Sequence, residues 1–411
     1  MAEEKKVYIV DVTNRDGVQT SRLGLAKLQK TIINTLLNEL GVYRSEFGFP
    51  FTRHETNYLN ANLKLAQKGA IKPMLLSGWV TCRKSELANA IRMVPELKHF
   101  NISLSTSKQM LTAKLNKTED QVIEMMIESL EYLREQGAAF VGVNAEDASR
   151  TEMDFLIRYA TVARDHGANT IRYCDTLGAD DPGTIYERCR TLGRQVGLPV
   201  ELHCHNDLGM AVANSAAGAV GAVDGGVDAY VNTCVNGMGE RAGNCDLVAV
   251  ILALKHASGW SRRNLLDGRL DLSKAWRLAK YASYAFGVPI PINQPAVGGN
   301  AFAHESGIHA DGALKDYRNY ELYHFDELGR GEPEIIETGR RITVGEYSGI
   351  RGFHNVYEKM EVAFGDDKQA AEVLELVRYA NVHTQKPLTD LELKFIAQYP
   401  EEARQIMTVT P

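Results

Sequence analysis

The 411-residue chain contains only six cysteines, Cys82, Cys174, Cys189, Cys204, Cys234 and Cys245, and no two form a C-x-x-C pair. That scatter excludes a disulfide framework and a zinc ribbon, and the expectation is buried, reduced thiols. No stretch reaches the roughly 18 uninterrupted apolar residues that a membrane span needs. The start, Met-Ala-Glu-Glu-Lys-Lys, runs straight into the apolar stretch Val7 to Val10 without an h-region or cleavage site, so a soluble, cytoplasmic protein is expected. Long basic runs are also missing. The 46 Lys and Arg are outnumbered by 52 Asp and Glu, giving a net charge of −6, which argues against nucleic acid as the main partner. With 44% hydrophobic and 24% charged residues the composition is that of a globular protein, long enough to bury a large core without staples.

What the sequence does have is a rhythm. Short β-rich apolar runs recur at Val7–Asp11, Val42–Glu46, Ile71–Leu76, Phe100–Leu104, Ala139–Val143, Thr170–Cys174, Pro199–Cys204 and Asp228–Asn232. Segments with helical spacing lie between them, among them Leu23–Leu40, Thr118–Gln136, Glu152–His166, Pro182–Val196 and Met210–Val223. Thr118 followed by Glu-Asp-Gln reads as an N-cap with an acidic first turn, and Gly137 and Gly167 stand where helices should stop. Strands alternating with helices over about 260 residues predict an α/β fold, a TIM (β/α)8 barrel, in preference to an open doubly wound sheet. The rhythm breaks after Gly259. A helix is expected over Ser273–Phe286, and residues 287–411 read as a C-terminal, mostly helical extension, with amphipathic segments at Asn355–Phe364 and Asp367–Val382. The expected division is a catalytic barrel over 1–286 and C-terminal subdomains over 287–411.

Polar residues gather at the ends of the predicted strands, where barrels place their active sites. In Glu201-Leu-His203-Cys-His205, alternate side chains share one strand face. Two imidazoles at i and i+2 can chelate a divalent ion, although such pairs also occur as satisfied polar residues at strand ends. The first strand ends in Asp11-Val-Thr13-Asn14-Arg15-Asp16-Gly17-Val18-Gln19. Asp16 can complete a three-ligand site with His203 and His205, and Arg15 can then stabilise charge developing on an oxygen beside the metal. The competing reading is an Arg–Asp brace across the barrel mouth. Glu46, Ser105-Thr106, Asn144 with Glu146, and Asp175-Thr176 mark further strand ends. The stretch Asn236-Gly-Met-Gly239-Glu240-Arg241-Ala-Gly243-Asn244 is a weak match to a dinucleotide fingerprint, because it follows the last strand and not the first. Outside the repeat, His304, Glu305, His309 and Asp311 crowd a glycine-flanked segment that looks like acid–base machinery folded onto a site.

Together these motifs resemble the DRE-TIM metallolyase superfamily, in its branch of isopropylmalate, homocitrate, citramalate and Re-type citrate synthases. The resemblance spans about residues 7 to 350. It rests on D-V-T-N-R-D-G-V-Q (11–19), A-E-D-A-S-R (145–150), H-C-H-N-D-L-G-M-A-V-A-N-S (203–215), N-G-M-G-E-R-A-G-N (236–244) and A-F-A-H-E-S-G-I-H-A-D-G (301–312). The last motif favours the condensing branch over the lyases. Asn14 and Val18 stand where the usual first motif has Leu and Glu, and Glu346-Tyr347 stand where Lys-His is usual. The start looks closer to Re-type citrate synthases, and Arg318-Asn-Tyr320-Glu looks like nitrogenase-associated homocitrate synthases.

The resemblance implies a divalent metal (Mn, Co, Zn or Mg) on Asp16, His203 and His205, with Asn244 nearby, and acetyl-CoA as co-substrate. It implies Arg15, Glu146 and His309 as catalytic groups. Arg15, Gln19, Glu46, Thr106, Asn144, Thr176 and Glu201 are expected to contact the 2-oxo acid. It further implies a homodimer in which the segment carrying His309 reaches the neighbouring barrel. The expected reaction is a Claisen condensation of acetyl-CoA with a small dicarboxylic 2-oxo acid, oxaloacetate or 2-oxoglutarate. The alternatives are isopropylmalate or citramalate synthesis, a metal-dependent acyl-CoA lyase, and a non-catalytic scaffold barrel.

Overall fold

The computed structural model describes residues 4–334 and 338–409. Eight parallel strands close into a barrel in sequence order: β1 Val7–Asp11, β2 Arg44–Gly48, β3 Leu75–Thr81, β4 His99–Ser105, β5 Phe140–Glu146, β6 Thr170–Asp175, β7 Val200–Cys204 and β8 Ala229–Thr233. Closure comes from β1 pairing with β8, Val7 opposite Ala229 through Asp11 opposite Thr233. A helix follows each strand: α1 Lys27–Leu40, α2 Thr56–Gln67, α3 Lys84–Met93, α4 Glu119–Glu135, α5 Met153–Asp165, α6 Pro182–Val196, α7 Ala211–Asp224 and α8 Leu247–His256. The TIM-barrel expectation holds.

Local chemistry explains the boundaries. Thr118 caps α4 by accepting from the Gln121 backbone amide at its hydroxyl, and the Thr118 backbone amide donates to Gln121 Oε1. Asp181 caps α6, with Pro182 at its first position. Strand β3 shares only Leu75 and Leu76 with the predicted Ile71–Leu76 and runs on to Thr81, because Pro73 breaks the start of that run and Ser77–Thr81 continue the strand. The helices α2 and α3 have mixed polar sequences, and the apolar spacing alone did not mark them.

All six cysteines are free and buried, as expected. Beyond the barrel come α9 Ala275–Phe286, α10 Gly307–Lys315, α11 Ile350–Lys359, α12 Asp367–Thr384, α13 Asp390–Gln398 and α14 Pro400–Met407. The final helices fold back onto the barrel's outer wall, α14 against α2, and α13 and α14 against α1. Tyr281 on α9 donates its hydroxyl to Glu392 on α13 at 3.0 Å. The helix α10 differs from all of these in burying none of its residues. Among the described residues no helix is long and apolar enough to cross a membrane.

Candidate metal centre and active site

At the C-terminal end of the strands a cavity of about 220 Å³ opens into the barrel. Arg15, Asp16 and Gln19 reach it from the loop after β1, and His203 and His205 from the end of β7. Asn144, Glu146 and Thr176 line it as well. Strand alternation puts Glu201, His203 and His205 on one face, so that one face points inward from the barrel floor to its mouth.

Asp16, His203 and His205 each offer a ligand atom, and these atoms lie within 4.8 Å of one another. His203 Nε2 is 3.6 Å from Asp16 Oδ2. Burial works to raise the Asp16 carboxyl, but Arg15 and the two imidazoles outweigh it and hold Asp16 well below its usual range. Burial, reinforced by His203, pushes His205 down to about 3. Burial also lowers His203, against the pull of Asp16. An ionised carboxylate beside two neutral imidazoles is the protonation state a metal requires. The donor set also has unspent capacity: His205 Nδ1 and Asn244 Oδ1 are buried without a hydrogen-bond partner among the described residues. The residues therefore fit a divalent ion of the borderline class.

The loop after β8 exists in a shape that delivers Asn244. Gly239 has φ 152°, and a Cβ there would lie 2.1 Å from Asn244 Nδ2. Only glycine allows Asn244 to reach Asp16 Oδ1, to which it donates at 2.6 Å. Arg241 ties this loop to its neighbours, donating to Asp207 at 2.9 Å and to the Thr176 carbonyl.

Arg15 is held by two carboxylates. Its Nε donates to Glu46 Oε1 and its Nη1 to Asp16 Oδ2, each at 2.6 Å, while Nη2 makes no hydrogen bond among the described residues. Burial opposes its charge, but Glu46 and Asp16 more than compensate and raise its pKa. Beneath it lies a network that the sequence reading missed. Arg172 Nη2 bridges Glu46 Oε2 and Glu201 Oε1 at 2.6 Å each, and Arg44 donates to Glu201 Oε2 at 2.6 Å. Asn101 and Asn232 complete the two glutamates, at 2.8 and 2.7 Å. The available signal was an arginine inside an otherwise apolar strand run, Thr170–Cys174, which is costly unless paired.

The structure does not bring every expected residue to the cavity. Glu201 and Glu46 are fully buried and committed to arginines and amides, so both brace the floor and neither lines the cavity wall. Thr106 is turned away, sharing a 2.8 Å hydrogen bond with Thr151. Glu146 does face the cavity, and accepts from Lys114 at 2.6 Å and from Ser105. His309 lies on α10, exposed, its ring 4.3 Å from that of Tyr320, and it is not among the residues lining its own barrel's mouth.

Comparison with known proteins agrees with this geometry. Residues 6–281 match the HMGL-like family, and residues 296–384 match the homocitrate synthase post-HMGL domain-like family. The chain is 56% identical over 409 residues to the Citrate (Re)-synthase of Dehalococcoides mccartyi, covering 99% of each. It is 35% identical to 2-isopropylmalate synthase 2 of Caldanaerobacter subterraneus subsp. tengcongensis, covering 96% of each. Against Homocitrate synthase 1 of Nostoc sp. it is 33% identical, covering 94% of this chain and 96% of the relative. Among solved structures, the hydroxymethylglutaryl-CoA lyase of Pseudomonas aeruginosa superposes with a TM-score of 0.57 at 17% identity, over 71% of this chain and 96% of that one. That likeness is one of fold alone. With Arg15, the three ligand residues and Asn244 all inside the matched region, the chain belongs to the HMGL-like family, in its acetyl-CoA-condensing synthase branch.

Proposed function

We propose that this protein condenses acetyl-CoA with oxaloacetate to give citrate and free CoA, as a cytoplasmic, metal-dependent Re-type citrate synthase. The observation that carries the reading is the Asp16–His203–His205 triad beside Arg15, whose Nη2 makes no hydrogen bond among the described residues. Oxaloacetate is preferred over 2-oxoglutarate because the 56% identity to a Citrate (Re)-synthase runs end to end, whereas the homocitrate synthase relative stands at 33%.

A divalent ion on Asp16, His203 and His205, with Asn244 beside it, would polarise the 2-oxo acid as a Lewis acid. The chain's own groups supply the rest. Glu146, with His309 from a second subunit, removes a proton from the acetyl methyl group, and the resulting enolate carbon bonds to the carbonyl carbon of the 2-oxo acid. Arg15 Nη2 faces the oxygen on which charge develops, pre-oriented by Glu46 so that no reorganisation is needed during the step. That oxygen takes a proton. Water then cleaves the thioester, releasing the thiol and a carboxylate. Residues 287–411 act in this scheme as the part that completes the partner's site and forms a homodimer.

Thiol release from acetyl-CoA with Mn²⁺ tests the reading, with oxaloacetate, 2-oxoglutarate, 2-oxoisovalerate and pyruvate offered in parallel. Release with oxaloacetate, abolished by EDTA, is expected. Release with another acid alone would reassign the acceptor, and silence with all four in metal-loaded protein would overturn the condensing reading.

A further inference from the structure

The segment after β4 brings one ammonium group to Glu146. Ser107 opens it: its hydroxyl donates to Asp147, and the same oxygen accepts from the Met110 amide at 3.3 Å. A helical turn over Lys108–Met110 widens into Leu111–Leu115, the one π-helical turn among the described residues. Asn116 ends it in the left-handed region, at φ 50°. A π turn is a rare conformation that recurs at functional sites. Leu111 is buried and anchors this one, while Lys114 reaches Glu146, its Nζ 2.6 Å from both carboxylate oxygens. Among the described residues Lys114 makes no other hydrogen bond.

Glu146 is fixed from its own side as well. Asp147, the next residue, is fully buried and has φ 66°. A residue other than glycine keeps that conformation only where its surroundings hold it. Here Asp147 accepts from Ser107 and from Arg150 Nη2 at 2.6 Å, and its amide donates to Thr176 Oγ1 at 2.8 Å. One aspartate therefore ties down both the start of the Lys114 segment and the backbone that aims Glu146 into the cavity.

Stability does not account for the Lys114–Glu146 contact. The lysine side chain is 51% exposed, and an ion pair so open to water adds little to the fold. What the contact does is orient. A carboxylate offers about four acceptor positions. Lys114 takes one on each oxygen and Ser105 takes a second on Oε2, which leaves the open position on Oε1.

We propose that Lys114 is a positioning residue for proton removal: it fixes the plane of the Glu146 carboxylate and leaves Oε1 as the atom that takes the proton from the acetyl methyl group. This rests on the condensing reading, with Glu146 as its base. In the step the methyl C–H bond breaks, its electron pair passes into the enolate, and an O–H bond forms at Oε1. Lys114 keeps its own protons throughout.

The test is thiol release by Mn²⁺-loaded enzyme with oxaloacetate, or with the acid that the wild type accepts in its place. Lys114→Met removes the ammonium from a half-exposed side chain and should lower kcat about 10- to 100-fold, whereas Lys114→Arg should stay within about threefold of wild type. The KM for acetyl-CoA should change less than about twofold. Trideuterated acetyl-CoA should give Lys114→Met an isotope effect at least as large as that of the wild type, because the slowed step is the one that breaks the C–H bond. Lys114 acts only through Glu146, so the double variant Lys114→Met, Glu146→Gln should be no slower than Glu146→Gln alone. A slow Lys114→Met enzyme without an isotope effect, a raised KM for acetyl-CoA as its main defect, or additive losses in the double variant would each overturn the proposal. So would full activity in Lys114→Met beside an inactive Glu146→Gln, an outcome that leaves the condensing reading standing. Full activity in Glu146→Gln would remove the base from that reading and the role of Lys114 with it, and a wild type that releases no thiol with any acid would overturn both.

Discussion

The barrel mouth and the segment around α10 solve opposite problems. In the mouth and the floor beneath it, Arg15, Glu46, Arg172 and Glu201 are buried, paired, and locked by hydrogen bonds at 2.6 Å. Around α10, Ile308 is 76% exposed and Leu314 89%, and the helix buries no residue. A mouth that satisfies its own charges is preorganised before any ligand arrives. A helix with apolar residues facing water is incomplete until something covers it, and in the proposed dimer a second copy of the chain would meet that need while bringing His309 to a barrel.

The largest effects expected are on rate, and they separate the two regions. His203→Ala should lower thiol release by about 10³-fold and abolish retention of metal, read by elemental analysis. His309→Ala should lower the rate by about 10²-fold or more while metal is retained. If the two residues come from different subunits, mixing the two inactive variants should restore about a quarter of wild-type activity. In a heterodimer one site then carries both defects and the other carries neither. No recovery after subunit exchange would place both residues in one chain's site.

Next in size is the loss of a charge from the floor. Glu46→Gln leaves Arg15 and Arg172 short of an anion in a buried setting, and should cost about 3–5 kcal/mol of stability in denaturant unfolding. Its pH dependence follows from the same contacts. Burial raises the Glu46 carboxyl, but Arg172 and Arg15 drive it down to about 2, below the ordinary 4.5. Between those values the unfolded chain binds more protons, so the contribution is present above pH 4.5 and is lost as pH falls towards 2. The acid limb of stability against pH should be shallower in the variant, and an unchanged limb would mean that Glu46 does not carry it.

How much of this the sequence disclosed follows from where each interaction lies. The barrel was legible because alternation and capping are local: Thr118, Gly137 and the apolar runs act within a few residues. The triad was legible because His203 and His205 share a strand face and Asp16 lies in the polar run that follows the first strand. Arg172 was not, since it reads as one polar residue in an apolar run until the register sets it beside Asn144. Glu201 shares the inward face with His203, yet is spent on Arg44, Arg172 and Asn232 and does not line the cavity, a distinction that spacing alone does not make. That His309 lies away from its own barrel's mouth was expected only from the family resemblance, because nothing in the local spacing of its segment sets it against or away from the strands.

The smallest effect on the fold should come from the other side of the comparison. Leu314 is 89% exposed, beside Ala310, Ala313 and Tyr317, on a helix with no buried face. Leu314→Asp removes nothing from the core, so the stability of the barrel should change by less than about 0.5 kcal/mol. What should change is assembly. A charge placed in an apolar contact between two copies is desolvated without a partner, and sedimentation should show the dimer dissociating at concentrations where the wild type is intact. Activity should fall in proportion to the dimer lost and recover at high protein concentration. A variant that stays dimeric at full activity would show that the apolar residues of α10 are covered by nothing the reaction needs.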